Sequence, residues 1–395
     1  MNKLEELIQQ LCPNGVEYKK IREVAECIAG ATPKTSVPAY WKNGTIPWMS
    51  SGEVNNKIIY DTETRITQKG YDSCSTKMVP PNTVVIALAG QGKTRGTVAI
   101  TKIELCTNQS LCSIVSTDEL LPDFLFHYLS GQYTKLRDIS SGDGTRGGLN
   151  LKMIKNFEVP IPPLEVQREI VRVLDQLSEL TAKLTAELTA ELTARKKQYE
   201  YYQQKIFDFD DSNIEWTTLS QIADIGTGSS NTNEELEDGK YPFFVRSQEV
   251  RRKNTFEYDE TAIITSGDGV GVGKIFHYVE GKYALHQRAY RIHITDKRVL
   301  PKFYFYYMKS SFLTYIEKAS FHSSVTSIRR PMLNNFPVPI PSIEEQRRIV
   351  SILDRFDTLC NDLTSGLPAE IEARQKQYEY YRDKLLTFRR SGANE

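Results

Sequence analysis

Two glycine-rich loops carry cations at matching places in the chain. The first reads Gly90-Gln-Gly-Lys-Thr-Arg95 and the second reads Ser266-Gly-Asp-Gly-Val-Gly-Val-Gly-Lys274, and each follows a predicted strand. Glycine lets a backbone approach a phosphate closely, while Lys and Arg neutralise phosphate charge. The residues with this potential for nucleic-acid contact are Gln91, Lys93, Thr94, Arg95, Ser266 and Lys274. A tight hairpin between two strands is the structural alternative.

Amide and guanidinium side chains stand just before a later strand in each half of the chain. They are Asn108 and Gln109 in the first half, and His286, Gln287 and Arg288 in the second. An amide can pair with the two hydrogen-bonding atoms of adenine, and Arg with those of guanine. The sequence therefore offers base-reading candidates at both places, although polar residues are also normal in loops.

Further basic residues favour contacts with a phosphate backbone. Two flexible Ser/Gly segments end in arginine, and a separate basic run lies between them. Cations in such positions fix the register of a protein on a duplex without reading its sequence. A solvated surface is the alternative for all of them. The candidates are Arg146, Ser323, Arg329 and Arg330 in the flexible segments, and Arg246, Arg251, Arg252 and Lys253 in the basic run.

Signals for catalysis are weak throughout the chain. The segment from Ala87 to Thr94 resembles a phosphate loop, but its first glycine is missing and the residues that follow predict a strand. A nucleotide loop needs a helix N-terminus at that point to hold the phosphates. The five histidines lack the spacing of a metal site, and the six cysteines show no CxxC pattern, so reduced thiols are expected. We predict no catalytic residue, no metal and no cofactor in this chain.

Composition places the chain among ordinary soluble proteins. Its 395 residues suffice for two or three domains, and no apolar run reaches the length of a membrane span. We therefore expect a cytoplasmic protein. Net charge is zero, yet residues 240–330 hold sixteen Lys/Arg against eight Asp/Glu. Local basic charge on a neutral chain suits a nucleic-acid reader that also has protein partners.

The parts of the chain that would position these loops, a domain and the helix that follows it, occur twice in the sequence. The sequence from Pro160 to Asp175 returns in similar form 179 residues later, from Pro339 to Asp354. The run Arg195-Lys-Lys-Gln-Tyr-Glu-Tyr-Tyr202 returns at the same offset as Arg374-Gln-Lys-Gln-Tyr-Glu-Tyr-Tyr381. A repeat of this length indicates a duplicated unit of one domain and one helix. Two such units on one chain suit a pseudo-twofold molecule with a two-part target.

The predicted fold is α/β (α+β), with two globular domains and two long antiparallel helices that form a coiled-coil-like spacer. Expected strands lie at 84–90, 96–100, 110–115, 262–265 and 289–294, and expected helices begin at Pro122 and Pro301. The residues between Leu164 and Ile206 include no Pro or Gly, which favours a rod of roughly 65 Å. A packing of each rod on its own domain, or a pairing of rods in a homodimer, is the alternative. The predicted segments are 1–158, 159–208, 209–337 and 338–395.

Three four-residue units follow one another inside the first rod: Thr181-Ala-Lys-Leu, Thr185-Ala-Glu-Leu and Thr189-Ala-Glu-Leu. A period of four drifts about 40° per unit around a helix, so this leucine row is not a simple coiled-coil seam. Each unit adds ~6 Å and ~40°, close to the twist of one base pair. We hypothesise that a change of one unit shifts two readers by about one base pair. The second rod has Gly366 and Pro368 here, which should interrupt its helix.

Each copy has Pro-Ile-Pro before a Gln-Arg-x-Ile-Val-x-x-Leu-Asp helix, and Thr-Ala-Glu-Leu units lie between the copies. In these features the chain resembles the specificity subunit of a type I restriction-modification enzyme, of the IC kind. The resemblance covers nearly the whole chain. It implies a non-catalytic subunit in which each domain reads one half of an asymmetric double-stranded DNA site. It also implies docking of two modification subunits that bring S-adenosylmethionine for adenine-N6 methylation, and restriction subunits that bring ATP-driven translocation and cleavage with Mg²⁺.

The rods are the expected place for spacer and partner contacts. Tyrosine clusters near the end of each rod are expected to pack on a domain or on a partner rather than stack on bases. The residues assigned to this role are Gln167, Arg168, Leu180, Leu184, Leu188, Leu192, Tyr199, Tyr202, Gln346, Arg347, Tyr378 and Tyr381. A coiled-coil scaffold without nucleic acid and, less favoured, a phosphate-loop enzyme are the competing functions.

Overall fold

The computed structural model describes residues 3–90, 94–140, 148–209, 214–319, 327–361 and 365–392. Two compact units divide the chain. Unit 1 consists of Met1–Thr185 and Glu372–Glu395, and unit 2 consists of Ala186–Ile371. Each unit combines helices with a mostly antiparallel sheet, which agrees with the predicted α+β class.

Unit 1 is built on a five-stranded sheet of order β2-β9-β6-β7-β4, with a three-stranded sheet β5-β3-β8 and a two-stranded sheet β1-β10 beside it. Its strands are β1 Tyr18–Lys20, β2 Ala25–Ala29, β3 Ile46–Met49, β4 Ile58–Ile59, β5 Thr64–Ile66, β6 Val84–Ala87, β7 Val98–Thr101, β8 Cys106–Thr107, β9 Leu111–Ser116 and β10 Glu158–Pro160. Its short helices are α1 Lys3–Leu11, α2 Ile21–Val24, α3 Gln68–Asp72, α4 Pro122–Gly131, α5 Tyr133–Asp138 and α6 Leu151–Asn156.

The central strand β6 explains why this sheet is buried on both faces. Its four residues are all apolar and all buried. Alternate side chains of a strand point to opposite faces. Val84 and Ile86 accordingly pack into the core that contains Phe124 of helix α4, whereas Val85 and Ala87 pack into a second core. The strand ends where the glycine-rich loop begins, so a rigid core holds the base of that loop.

Helices α7 Leu164–Ile206 and α12 Leu367–Leu385 each begin in one unit and end in the other, while α8 Leu219–Ile222, α9 Pro301–Ala319, α10 Arg330–Asn334 and α11 Ile343–Asn361 lie in unit 2. The strands of unit 2 are β11 Glu215–Thr218, β12 Ala223–Thr227, β13 Tyr241–Phe244, β14 Arg251–Lys253, β15 Tyr258–Ser266, β16 Phe276–Leu285, β17 Ala289–Ile294 and β18 Pro337–Ile340. They form a six-stranded sheet of order β12-β17-β15-β16-β13-β14 and a pair β11-β18.

Strand β15 has the place in unit 2 that β6 has in unit 1. Ile263 packs into the core under helix α9, and Ala262 and Ile264 pack into the core on the opposite face. The glycine loop then connects β15 to its antiparallel neighbour β16. Strand β16 was not among the predicted strands, because glycine and charged residues interrupt its apolar pattern. Helix α9 is also longer than its predicted first eight residues.

The first predicted rod is confirmed as one helix, α7, of 43 residues. The second rod is two helices, α11 and α12, as the glycine and proline between them suggest. Residues 362–364 of that junction lie outside the described part of the chain. Within the described ranges, the helices found fall short of the length and apolarity that crossing a membrane requires.

Antiparallel pairing of the rods is visible within unit 1. Ser178 Oγ of α7 donates to the Tyr378 hydroxyl of α12 at 3.0 Å. Further along the second segment, Arg390 forms an ion pair with Glu158, which precedes α7. Later residues of the C-terminal segment therefore contact earlier residues of the first segment, so the two segments run antiparallel.

Unit 2 contains its own antiparallel contact between α7 and α11. The ring of Tyr199 lies 5.9 Å from the ring of Phe356. Lys196, one turn before Tyr199 in α7, lies near Cys360, one turn after Phe356 in α11. Burial raises the pKa of the Cys360 thiol, and the positive charge of Lys196 opposes that rise. The prediction of an intramolecular antiparallel pair thus holds inside each unit.

Candidate nucleic-acid interface

In unit 2 the backbone brings three separately predicted segments to one point. Gly267, at the start of the loop between β15 and β16, donates its N–H to the carbonyl of Arg288 at 2.9 Å. Its own carbonyl accepts from the N–H of Ile328 at 2.8 Å. A Cβ on Gly267 would lie 2.4 Å from the Arg288 carbonyl oxygen, so this close approach requires glycine. The glycine loop, the His286–Arg288 segment and the segment before α10 therefore form one surface, which we call the reading face of unit 2.

Asp268 organises the cations of this reading face. Its carboxylate accepts from Arg246 at 2.7 Å and from Arg288 at 3.2 Å. Burial would raise the pKa of Asp268, but the hydrogen bonds and charges of the two guanidinium groups hold that pKa below its ordinary value. Two predicted contact residues, 42 positions apart in sequence, are thereby held side by side with one net positive charge. We call this arrangement the arginine clamp.

Two of the predicted contacts in this region are buried and structural. Ser266 is fully buried and donates to the Asp268 carbonyl at 2.8 Å. His286 is 4% exposed, and its Nδ1 accepts from the N–H of Arg288 at 3.0 Å. Burial, followed by the charges of Arg246 and Arg288, lowers the pKa of His286. Both side chains therefore shape the reading face from beneath, which corrects their assignment to direct contact.

An open cavity of about 600 Å³ adjoins the clamp. Its lining includes Arg246, Gln248, Arg251 and Asp268, together with Val270 at the loop tip. Gln287 is exposed, and its Nε2 donates at 2.6 Å to Oδ1 of Asn231, the chain neighbour of the lining residue Thr232. The surface combines guanidinium groups, amides and one exposed apolar side chain, Val270, which are the groups that distinguish base edges in a major groove.

The dense basic run beside the cavity is largely neutralised. Arg251 pairs with Glu235, and Lys253 pairs with Glu234. Arg252 donates to the backbone carbonyls of Gly239 at 2.5 Å and Lys240 at 3.2 Å. The neighbouring carboxylates Glu234 and Glu235 thus cancel much of this charge. Phosphate contact by Arg251 and Lys253 would require exchange of those ion pairs.

The remaining predicted cations of unit 2 are exposed to solvent, but they differ in whether their charged groups already bind the protein. Lys274 and Arg329 are exposed. Arg330 is exposed as well, but its guanidinium donates to the carbonyl of Ile225 at 2.5 Å and so fastens α10 to β12. Ser323 lies outside the described residues. Lys274, Arg329 and the clamp are therefore the strongest candidates for contact with a polyanion.

Unit 1 has the same backbone frame. Leu88 donates its N–H to the Ser110 carbonyl at 2.8 Å, and its own carbonyl accepts from Leu149 at 2.8 Å. Leu88 and Leu149 precede their counterparts Gly267 and Ile328 by 179 residues, and Ser110 precedes Arg288 by 178. Both loops therefore leave the sheet through the same pair of backbone hydrogen bonds.

The side chains on this frame are different in unit 1. Arg95 is only 6% exposed, which corrects its assignment as an exposed phosphate contact. Thr94 and Asn108 are half-buried, and Asn108 Oδ1 accepts from the N–H of Ser110 at 3.0 Å. Gln109 is exposed and its Oε1 accepts from the Thr32 hydroxyl, whereas Gln287 donates its Nε2–H to Asn231. The predicted contacts Gln91, Lys93 and Arg146 lie outside the described residues.

Gln167 and Gln346 have the same three hydrogen bonds, each made within its own unit. Gln167 Oε1 accepts from the N–H of Leu121 at 2.8 Å, and its Nε2 donates to the carbonyls of Glu119 and Pro162 at 2.9 and 2.8 Å. Both glutamines are fully buried. Of the partner and spacer roles predicted for these side chains, their burial and contacts favour the spacer role, because they fasten a spacer helix to its domain. We call each a glutamine latch.

The bonds of Gln346 repeat those of Gln167 at an offset of 179. Its Oε1 accepts from the N–H of Leu300 at 2.8 Å. Its Nε2 donates to the carbonyls of Arg298 at 3.1 Å and Pro341 at 2.9 Å. The motif that repeats most clearly in the sequence thus encodes a junction inside each unit.

The other spacer candidates remain accessible to different degrees. Arg168 and Arg347 are exposed beside the latches. Leu180 is 53% exposed, and the later leucines of the four-residue units, Leu184, Leu188 and Leu192, are half-buried. Tyr199 and Tyr378 face the partner segment of their own unit. Tyr202 also lies near Phe356 of α11, but Tyr202 and Tyr381 remain exposed at 45% and 41%. The exposed members suit a docking surface.

Sequence reasoning missed several residues of the reading faces. In the sequence Asp268 is one residue of a glycine loop, and only its position between two arginine segments suggests a clamp. Thr32 and Asn231 support the two glutamines but carry no sequence signal beyond a polar loop. Val270 was visible as an apolar residue between glycines, at the position where the other copy has Gln91.

The phosphate-loop alternative is not supported by the fold. The segment after the first glycine loop is strand β7, as its sequence suggests, rather than a helix. A phosphate loop needs the N-terminus of a helix directed at the nucleotide. The loop instead joins two neighbouring antiparallel strands of one sheet.

Comparisons with known proteins point to one family. The type I restriction modification DNA specificity domain matches this chain twice, at residues 13–194 and 212–373. A type I restriction enzyme specificity subunit of Escherichia coli is 31% identical over 393 residues, covering 87% of this chain and 94% of that protein. A putative specificity subunit of Haemophilus influenzae is 34% identical over 289 residues, covering 67% of this chain and 72% of that protein.

Solved structures share the fold. A chain from a study of complex assembly and conformational transition of the type I restriction-modification system matches with a TM-score of 0.69 at 18% identity, covering 95% of this chain and 98% of that one. The HsdS subunit of Thermoanaerobacter tengcongensis matches with a TM-score of 0.58 at 16% identity, covering 95% and 97%.

Proposed function

The chain belongs to the type I restriction-modification DNA specificity family, and on that premise we propose that its two units read the two halves of one asymmetric, bipartite DNA site. The observation that carries this proposal is the shared backbone frame with different side chains on it. One fold presented twice gives two readers. Different residues on each reader give two different half-sites, so the target is not a palindrome.

Contact with the duplex has two components in this proposal. Lys274, Arg329 and the net charge of the arginine clamp bind phosphates, and this part weakens as salt rises because bound counterions are released. Arg288 and Gln287 are exposed, and Arg288 donates to Asp268 of the cavity lining, so they are the base-reading candidates of unit 2. Gln109 is the corresponding candidate of unit 1. Arginine would favour guanine and glutamine would favour adenine.

The chemistry on DNA belongs to partner subunits in this proposal. Two modification subunits would bind S-adenosylmethionine and methylate adenine, and restriction subunits would use ATP and Mg²⁺. This chain would be non-catalytic and would position them. The exposed Arg168 and Arg347, next to the two latches, and the exposed Tyr202 and Tyr381 offer similar docking surfaces in the two copies. Duplicated docking surfaces favour two copies of one partner.

The four-residue units of α7 would set the distance between the half-sites. Each unit adds ~6 Å and ~40° of rotation. Deletion of Thr189–Leu192, or its duplication, is expected to change the spacer of the recognised site by about one base pair while both half-sites stay the same. An unchanged spacer would reject this part of the proposal.

Sequencing of methylated adenines tests the main proposal. The full chain is expressed with its modification subunit in a host without other adenine methylation. The expected result is one methylated motif with two unlike halves separated by a fixed, unspecified gap. No motif and no duplex binding, even with the modification subunit, would favour the scaffold alternative. A motif with identical halves would contradict the assignment of different targets to the two units.

A further inference from the structure

The tip of the glycine loop in unit 2 presents an apolar side chain to solvent. Val270 is 100% exposed, and among the described residues the next most exposed large hydrophobic residue is Tyr60 at 71%. A single exposed valine is unremarkable in itself. This one, however, lines the cavity that also contains Arg246, Arg251 and Asp268.

The loop holds Val270 in a defined position. The N–H of Val272 donates to the carbonyl of Gly269 at 3.2 Å, which closes a turn with Val270 at its second position. Gly269 has φ +89°, a conformation that favours glycine over other residues. At the base of the loop, the Asp268 carboxylate is held by two arginines and the Asp268 carbonyl by Ser266. An anchored turn loses little conformational freedom on binding, which favours its use as a contact.

We propose that Val270 is a specificity-determining residue that contacts the C5-methyl group of a thymine in the half-site of unit 2. This inference rests on the proposed DNA-reading function. Cations flank the tip and direct it toward a polyanion, and the thymine methyl is the apolar group that the major groove offers to an aliphatic side chain. A protein partner is less favoured, because Arg246 and Arg288 near a single exposed valine suit phosphates and base edges better than an apolar interface.

The repeat gives a second argument. At the offset of 179, the loop of unit 1 has Gln91 between two glycines where unit 2 has Val270 between two glycines. One copy thus places an amide, and the other an aliphatic group, at the same position of the chain. A difference of this kind changes which base is favoured without changing the frame.

The test uses the full chain with its modification subunit and the site found from methylated adenines. Each thymine of the site is replaced, one at a time, by deoxyuridine, which removes only the methyl group. One replacement should weaken binding by the wild type about four-fold, which corresponds to ~0.8 kcal/mol for one buried methyl group. The Val270→Ala complex should bind the unmodified duplex about four-fold more weakly and should be insensitive to the same replacement.

Val250→Ala is the matched control, since Val250 is an exposed valine of a nearby segment that lines a different cavity. It should keep the wild-type sensitivity to every replacement. A wild-type complex insensitive at every thymine, a site without thymine, or a Val270→Ala complex that keeps the wild-type sensitivity would each overturn the inference. Weaker assembly with the modification subunit, with unchanged sensitivity, would also overturn it and indicate a protein contact. Absence of any bipartite motif would instead reject the proposed function itself.

Discussion

The two glutamine latches are alike in every contact, whereas the two reading faces share only their backbone frame. Gln167 and Gln346 repeat the same donors and acceptors 179 residues apart. On the reading faces, unit 2 has an exposed arginine clamp, and unit 1 has a buried Arg95 beside a glutamine held by Thr32. The two copies therefore keep the same junction between spacer helix and domain, whereas the side chains of their reading faces differ.

A smaller difference lies next to the latches. Unit 1 has His127 Nε2 at 2.9 Å from Asp175, and unit 2 has the Tyr306 hydroxyl donating to Asp354 at 2.6 Å. These pairs occupy equivalent positions between a domain helix and a spacer helix. The acceptor is an aspartate both times, while the donor has changed. The junction tolerates a new donor as long as one hydrogen bond to the spacer helix remains.

The largest expected effect is the loss of a latch. Gln167→Ala and Gln346→Ala each remove three hydrogen bonds and leave a buried N–H and two carbonyls without their partner. Each should lower the free energy of unfolding by about 3 kcal/mol, measured by urea denaturation of the full chain. Similar losses in the two variants would confirm that the junctions are equivalent.

Gln375→Ala serves as the control for these variants, because Gln375 is exposed on α12 and should cost less than about 0.5 kcal/mol. Losses below 1 kcal/mol in both latch variants would contradict the stabilising role of the latches, and a loss in only one of them would contradict the equivalence of the two junctions.

A buried carboxylate distinguishes unit 1 from unit 2 in its response to pH. Glu169 is buried, and hydrogen bonds from Arg172 and then Lys3 lower its pKa to about 2. The corresponding residue of unit 2 is the exposed Arg348. A carboxylate with a depressed pKa stabilises the fold above its unfolded-state pKa of about 4.3, and this contribution is lost as pH falls toward 2.

Glu169→Gln should therefore lower the free energy of unfolding by about 1.5 kcal/mol at pH 7. The difference from wild type should shrink below pH 4, as urea denaturation at a series of pH values would report. The exposed Glu165→Gln should show neither effect. A Glu169→Gln difference that stays constant down to pH 2 would show that its carboxylate is not stabilised by those cations.

Tyr306→Phe should have a smaller effect. It keeps the buried ring and removes the hydroxyl bonded to Asp354, which retains its ion pair with Lys302 at 2.9 Å. The expected loss is about 1 kcal/mol in the free energy of unfolding. Tyr380→Phe, at a ring that is 62% exposed, should be neutral and provides the comparison. If Tyr306→Phe were equally neutral, the shared hydrogen bond to the spacer helix would not matter for the junction.

Much of the frame could be predicted from the sequence, because it depends on local patterns. The repeat, the continuous α7, the interruption before α12 and strands such as β6 and β17 follow from periodicity, proline and glycine. The reading faces depend on contacts between distant residues. Nothing local indicates that Asp268 lies between Arg246 and Arg288, that Glu234 and Glu235 neutralise the basic run, or that Arg95 is buried. Exposure and charge pairing arise only once the loops are packed.

Exchange of one reader tests the central claim most directly. Residues 209–337 are replaced by the corresponding segment of a relative with a different target, and methylated adenines are mapped with the same modification subunit. If each unit reads its own half-site, one half of the motif changes to that of the relative, while the other half is retained. A change in both halves, or in neither, would contradict the assignment of one half-site to each unit.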